Sequence, residues 1–154
     1  MQSNYFHAAP IPLKPGSVIE PGNWGRVIKA TRFNNGGLPM FYIRELVFEN
    51  VRLREFPALP SRFESAFVFE TAEAVIQFAN GDGTRRDLCY EVEMVDPQAN
   101  SHAAAINLVR DGQIGEFAIP FWENLAGNYW RGMGEGTREI LTLSSLRIVK
   151  RVPE

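Results

Sequence analysis

Residues 88–95, Leu-Cys-Tyr-Glu-Val-Glu-Met-Val, alternate cleanly between apolar and other side chains, and few folds accept such a stretch. Successive residues of a strand point to opposite faces. Leu88, Tyr90, Val92 and Met94 therefore go one way, and Cys89, Glu91, Glu93 and Val95 the other. A strand of this kind has one face to bury, so the chain must supply a layer to cover it. In this setting Cys89 reads as a small packed side chain rather than a nucleophile. It is the only cysteine, so no internal disulfide can hold the fold. The core must do so, and 154 residues that are 45% hydrophobic suffice for one domain spanning 1–154.

The covering layer is legible as helices. The spacing predicts a helix over 41–55, with Ile43, Leu46, Val47, Asn50, Val51 and Arg54 on its inner stripe. Glu45, Glu49, Arg52 and Glu55 then face water, and Phe48 and Leu53 lie off the stripe. Pro57 and Pro60 stop it. Thr71 is placed to cap a helix of about ten residues that ends at Asn80-Gly81, with Glu73 in its first turn. Pro120 suits the first turn of a third helix carrying Phe121, Trp122, Leu125, Ala126, Tyr129 and Trp130, an aromatic stripe that reads as core.

Strands are predicted at 5–9, at Val18-Ile19, at 66–69 and at 103–109. Asp111-Gly112 is a hairpin signal with a return over 113–118, and two late strands cover 139–143 and 146–152. Residues 82–87 read as a polar turn, and 23–39 as a long loop without period. The sum is an α+β domain.

Several functions are disfavoured. A net charge of -2 with no block of like charge gives no long-range attraction for a nucleic-acid backbone. Two histidines, His7 and His102, and one cysteine offer no metal-ligand spacing. No phosphate loop, dinucleotide fingerprint or nucleophile elbow occurs. No secretory leader or bilayer-length apolar run is present, so the expected location is cytoplasmic, or one reached without a cleavable signal, with no membrane partner.

One carboxylate stands out by position. Glu139 opens a strand directly behind Arg131-Gly-Met-Gly-Glu-Gly-Thr137, a loop whose glycines allow close bending around a ligand.

The order of pieces carries a resemblance. A first strand bears His7, and Phe-Val-Phe-Glu-Thr-Ala-Glu-Ala-Val forms a strand-turn-helix. The alternating Asp-Leu-Cys-Tyr-Glu-Val-Glu follows, and a late strand opens on Glu139 before Leu-Arg-Ile-Val-Lys-Arg-Val. This resembles the small bacterial NAD-dependent ADP-ribosyltransferases. The likeness is nearest to the rifampin-modifying enzymes and to an uncharacterised bacterial domain family with an early Pro-Gly-Asn-Trp-Gly, here Pro21 to Gly25. The resemblance implies a split β-sheet core with two to three packed helices. It implies a NAD site in which His7 bonds a ribose and the backbone of Ala8 holds the nicotinamide amide. Phe67 or Phe69 stands at the aromatic position and Glu139 at the acidic one. Ala8-Ala9 replaces the usual Gly and Thr, and phenylalanine the usual tyrosine, although a phenyl ring still stacks.

A carboxylate at Glu139 suits that chemistry, because positive charge builds on the ribose as nicotinamide leaves. Arg62, and after it Arg44, are the cations for the NAD pyrophosphate. The implied activity is a mono-ADP-ribosyltransferase, a transferase with His7 and Glu139 as catalytic residues. It splits NAD and passes ADP-ribose to a protein, nucleic acid or small molecule, in the manner of a toxin, effector or modifying enzyme, and an inhibitory partner protein can accompany it. The alternative is a non-catalytic module on the same fold that binds a nucleotide or a protein. Glu139 would then face solvent or pair with a neighbour such as Arg138 or Arg147, and the 120–130 helix would expose its aromatics to a partner.

Overall fold

A computed structural model describes residues 4–81 and 87–153. The turn expected over 82–87 therefore lies outside the described residues except for Asp87. The alternating stretch forms strand β4 (Leu88–Met94) beside β1 (Tyr5–Ala9), both antiparallel, with His7 opposite Tyr90. On its other side β4 pairs with β7 (Leu146–Arg151), which pairs in turn with the two-residue β2 (Val18–Ile19). The order β1-β4-β7-β2 makes the first sheet. The second has the order β3-β6-β5, from β3 (Ala66–Val68), β6 (Arg138–Thr142) and β5 (Ser101–Ala105). Among the described residues a single bridge joins the two sheets. Phe6 N–H donates to Phe69 O at 2.9 Å and Phe69 N–H to Phe6 O at 2.8 Å. The molecule is thus a mixed α+β domain with a curled, partly split antiparallel sheet and several helices.

Parity along β3 and β6 sorts the core. Ala66, Val68 and Ile140 face the first sheet and pack with Tyr90, Val92, Leu146 and Ile148. Phe67 and Leu141 face the opposite way, onto α2 (Met40–Glu55) and α4 (Ala118–Trp130), where Phe48, Val51, Trp122, Tyr129 and Trp130 close over them. Helix α3 (Ala72–Asn80) covers the join, with Val75 and Ala79 against Phe69 and Cys89. Thr71 caps α3 as the sequence implies, its hydroxyl oxygen accepting from Ala74 N–H at 3.1 Å. Cys89 is packed as expected, its thiol directed at Val75 O. No described helix is long and apolar enough to cross a membrane.

Several expectations change. Residues 23–39 are not all loop, because Asn23–Lys29 form helix α1. Gly22 turns the chain at φ 97°, and Gly25 lets α1 lie directly against the backbone of Phe63. That raises the described α-helices to four, where two to three were expected. The hairpin at Asp111-Gly112 is absent. β5 ends in a short 3-10 turn at Ile106–Leu108, and 111–117 lead straight into α4. The aromatics of α4 are interior as their stripe implied, with Trp122, Tyr129 and Trp130 buried, and the exposed aromatic face that the non-catalytic alternative called for does not form along it.

Finally, α2 is turned about its axis by about a third of a turn from the expected phase. Val47 and Val51 are inside as predicted, but so are Phe48, Glu45 and Arg52, while Ile43, Leu46 and Leu53 are exposed. Glu45 and Arg52 tolerate burial because each meets an opposite charge; Arg52 finds Glu49 three residues back on the same helix, whereas Glu45 needs Arg62, which the helix's own sequence does not reveal.

Candidate functional site: a buried carboxylate–guanidinium cluster

Glu139 stands at the second position of β6, on the face turned toward α2 and α4, and is 4% exposed. Two groups hold its Oε1. Tyr129 of α4 donates its hydroxyl at 2.6 Å, and Arg62 Nη1 donates to the same oxygen. Oε2 takes no hydrogen bond among the described residues. Arg62 lies in the turn before β3. It gives Nε to Glu45 Oε2 at 2.8 Å and Nη2 to Glu45 Oε1 at 3.0 Å, the paired geometry that suits a guanidinium and a carboxylate. Its Nη1 also donates to Tyr129 Oη at 2.6 Å. The guanidinium carbon sits 4.9 Å from the Phe67 ring centre and 5.2 Å from that of Tyr129, so aromatic rings wall the cation.

Burial alone would lower the Arg62 pKa. Glu45, the Tyr129 oxygen and Glu139 outweigh it and raise it well above the ordinary value, so the guanidinium stays charged. Burial, with Glu139 adding to it, raises Tyr129 well above the usual phenol range, and the hydroxyl keeps its proton as a donor. With both carboxylates ionised, the cluster carries two negative charges and one positive.

His7 is close by. Its Nδ1 lies 2.7 Å from Phe67 O, so Nδ1 carries the proton and donates to the carbonyl. Burial lowers the His7 pKa, and the bond to Phe67 and the charge of Asp87 oppose this only in part. The neutral ring leaves Nε2 as an acceptor. Ala8, the next residue of β1, pairs with Cys89 across the first sheet. Phe69 is buried against Phe78, ring centres 5.2 Å apart. Arg44 lies on α2 and reaches Asp111 at 3.0 Å.

The fold thus brings His7, Phe67, Arg62 and Glu139 together, whereas Arg44 is held at Asp111 and Phe69 packs against Phe78. β1 bridges to the residue after β3, β3 pairs with β6, and Phe67 links His7 through its carbonyl to Arg62 through its ring. Glu139 pairs with Arg62 rather than with Arg138 or Arg147. Arg138 reaches back to Gly132 O at 3.1 Å, and Arg147 binds Glu93 at 2.8 Å. Two surface cavities, of about 250 and 270 Å³, lie elsewhere. Phe69, Gln77, Phe78 and Thr137 help to line the first, and Met40, Ile114, Phe121 and Trp122 the second. Neither is lined by His7, Phe67 or Glu139. Among the described residues, no group of three or more His, Cys, Asp or Glu side chains is placed to hold a metal.

Sequence reasoning missed Glu45 and Tyr129 as members of the cluster. Glu45 was placed on the wet side of its helix, and Tyr129 among the core aromatics. No local signal marks either one, because their partners are 17 and 10 residues away.

A family model described as "Protein of unknown function (DUF2441)" matches residues 24–154. The chain belongs to the DUF2441 family. The span that defines the DUF2441 match takes in Glu45, Arg62, Phe67, Tyr129 and Glu139, and begins after His7 and Ala8. A search of curated proteins gives no match to this chain.

Proposed function

We propose that this DUF2441 chain is a non-catalytic binding module on an ADP-ribosyltransferase-like split sheet, with a nucleotide or a protein as its ligand. The observation that carries this is the guanidinium on Glu139. A carboxylate that assists nicotinamide departure must meet the positive charge growing on the ribose. Here Oε1 is already balanced by Arg62, and α2 and α4 cover the residue to 4% exposure. In this reading Glu139 holds the two helices to the second sheet rather than serving a cleft.

The test is nicotinamide release from labelled NAD by the full chain beside Glu139→Gln, with a parallel titration of NAD binding. No release from either protein, with NAD binding unchanged by the substitution, supports the module. Release that falls by about 100-fold or more in Glu139→Gln overturns it.

That second outcome would establish the mono-ADP-ribosyltransferase, which two observations favour. The three strands named by the resemblance, β1, β3 and β6, do come together through Phe6–Phe69 and Phe67–Leu141. The cluster also holds one more carboxylate than cation, and Oε2 of Glu139 is free of hydrogen bonds among the described residues. In an enzyme, Oε2 would take the ribose hydroxyl, His7 the other ribose, and NAD would be the substrate. The acceptor would be a protein, a nucleic acid or a small molecule.

A further inference from the structure

One apolar stripe of α2 faces away from the core. Ile43 is 41% exposed, Leu46 43% and Leu53 58%, on the side of α2 turned away from Phe48. Asn50, also exposed, fills the gap in the stripe. The spacing from Ile43 to Leu46, Asn50 and Leu53 runs three, four, three, which is the a-d-a-d seam of a heptad. Ile at a with Leu at d favours two parallel strands, and one Asn at an a position fixes register and partner number.

We propose that α2 is a self-association helix: a second copy of this chain packs its α2 parallel to this one along Ile43, Leu46, Asn50 and Leu53. The flanking charges agree. In this register Glu49 is at g and Arg54 at e, five residues on, the two positions that meet across a parallel pair. The two-fold axis makes this contact twice, each time between opposite charges. An antiparallel pair would set Glu49 against Glu49 and Arg54 against Arg54. Arg54 is available, since it is half exposed and its own carboxylates, Glu55 and Glu123, lie at 3.8 and 3.6 Å. Glu49 accepts from Arg52 at 2.7 and 3.1 Å and from the Ser61 hydroxyl at 2.8 Å, and keeps 17% of its side chain exposed at the edge of the seam. Two heptads alone would be too short to hold a helix in water, but α2 is already ordered by its packing on α4 and the second sheet, so association need not fold it.

The test is sedimentation of the full chain from about 5 to about 200 µM, a range that brackets a micromolar dimer. It is run beside Leu46→Glu and Asn50→Cys. A concentration-dependent dimer is expected. Leu46→Glu should weaken it by at least about 100-fold, as for a central interface anchor, with the melting temperature measured at low concentration unchanged because Leu46 is 43% exposed and lies outside the buried core. Asn50 faces its own copy across a parallel axis, so Asn50→Cys should form a covalent dimer on mild oxidation, while the buried Cys89 leaves the parent protein uncrosslinked. A monomer at the highest concentration overturns the proposal. So does a dimer that survives Leu46→Glu, and an Asn50→Cys protein that dimerises without crosslinking overturns the parallel register.

Discussion

Replacing Arg62 with Met removes the only cation of the cluster and keeps most of the side-chain volume. Glu45, 1% exposed, loses both of its hydrogen bonds to the guanidinium, and Glu139, 4% exposed, keeps only the Tyr129 hydroxyl. Two buried carboxylates then share a site with no counter-charge. Taking one partner from a buried ion pair costs about 3–5 kcal/mol, most of it the penalty of the charge left behind. Two carboxylates are stranded here, so the upper end, about 5 kcal/mol, is expected. Loss of packing adds little, because Met fills nearly the same space.

Against a typical domain stability of about 5–15 kcal/mol, such a loss is a large fraction of the whole. With a urea slope of about 2 kcal/mol/M, the midpoint should fall by roughly 2–3 M. The fluorescence of the buried Trp122 and Trp130 reports the transition. The triple variant Glu45→Gln, Arg62→Met, Glu139→Gln carries no charge in the cluster and should recover most of the loss, since neutral replacement of a buried ion group is often tolerated. A loss below about 1 kcal/mol in Arg62→Met, or a triple variant no more stable than the single one, would refute the view that charge pairing holds this site.

Two further outcomes follow from the geometry. Because burial lowers the His7 pKa, the unfolded chain takes up its proton first. The contribution of His7 to stability is therefore full above the unfolded value near 6.5 and is lost as pH falls through the lowered folded value. His7→Asn keeps a donor for Phe67 O, and its urea midpoint should decline less than the parent's between about pH 7 and 5; equal slopes would remove His7 as the cause. A Cβ on Gly25 would sit 1.9 Å from the carbonyl oxygen of Phe63, so Gly25→Ala should cost about 3 kcal/mol in the same titration. Gly36→Ala, at an exposed position, should stay within about 0.5 kcal/mol.

The sequence determined the elements wherever the signal was local. The alternation of 88–95, the Thr71 cap and the prolines after Glu55 each act within a few residues, and β4, α3 and the end of α2 appear where those signals put them. The aromatic spacing of 120–130 likewise gave a buried helix face. Local signals failed where the deciding atoms were distant. Residues 23–29 look aperiodic, yet they coil because Gly25 can approach Phe63, some 38 positions further on. The hairpin expected at Asp111-Gly112 gave way because β5 finds its partner in β6 rather than in a return strand.

The phase of α2 shows the difference most sharply. Its apolar spacing names Ile43, Leu46, Val47 and Val51 as one stripe, and periodicity alone would bury all four. Tertiary structure buries Glu45 instead and leaves Ile43 and Leu46 outside, because Arg62 waits inside to satisfy it; Arg52 is buried beside it on partners that are near in the chain, Glu49 and the carbonyls of Pro57 and Leu59. Glu139 follows the same logic. Its place at the start of a strand was visible in the chain, but whether that carboxylate meets a ligand or a guanidinium depended on where residue 62 falls in space. Local chemistry fixes backbone shape over a few residues, whereas the fate of a buried charge is settled by its partner, and only the assembled fold brings that partner near.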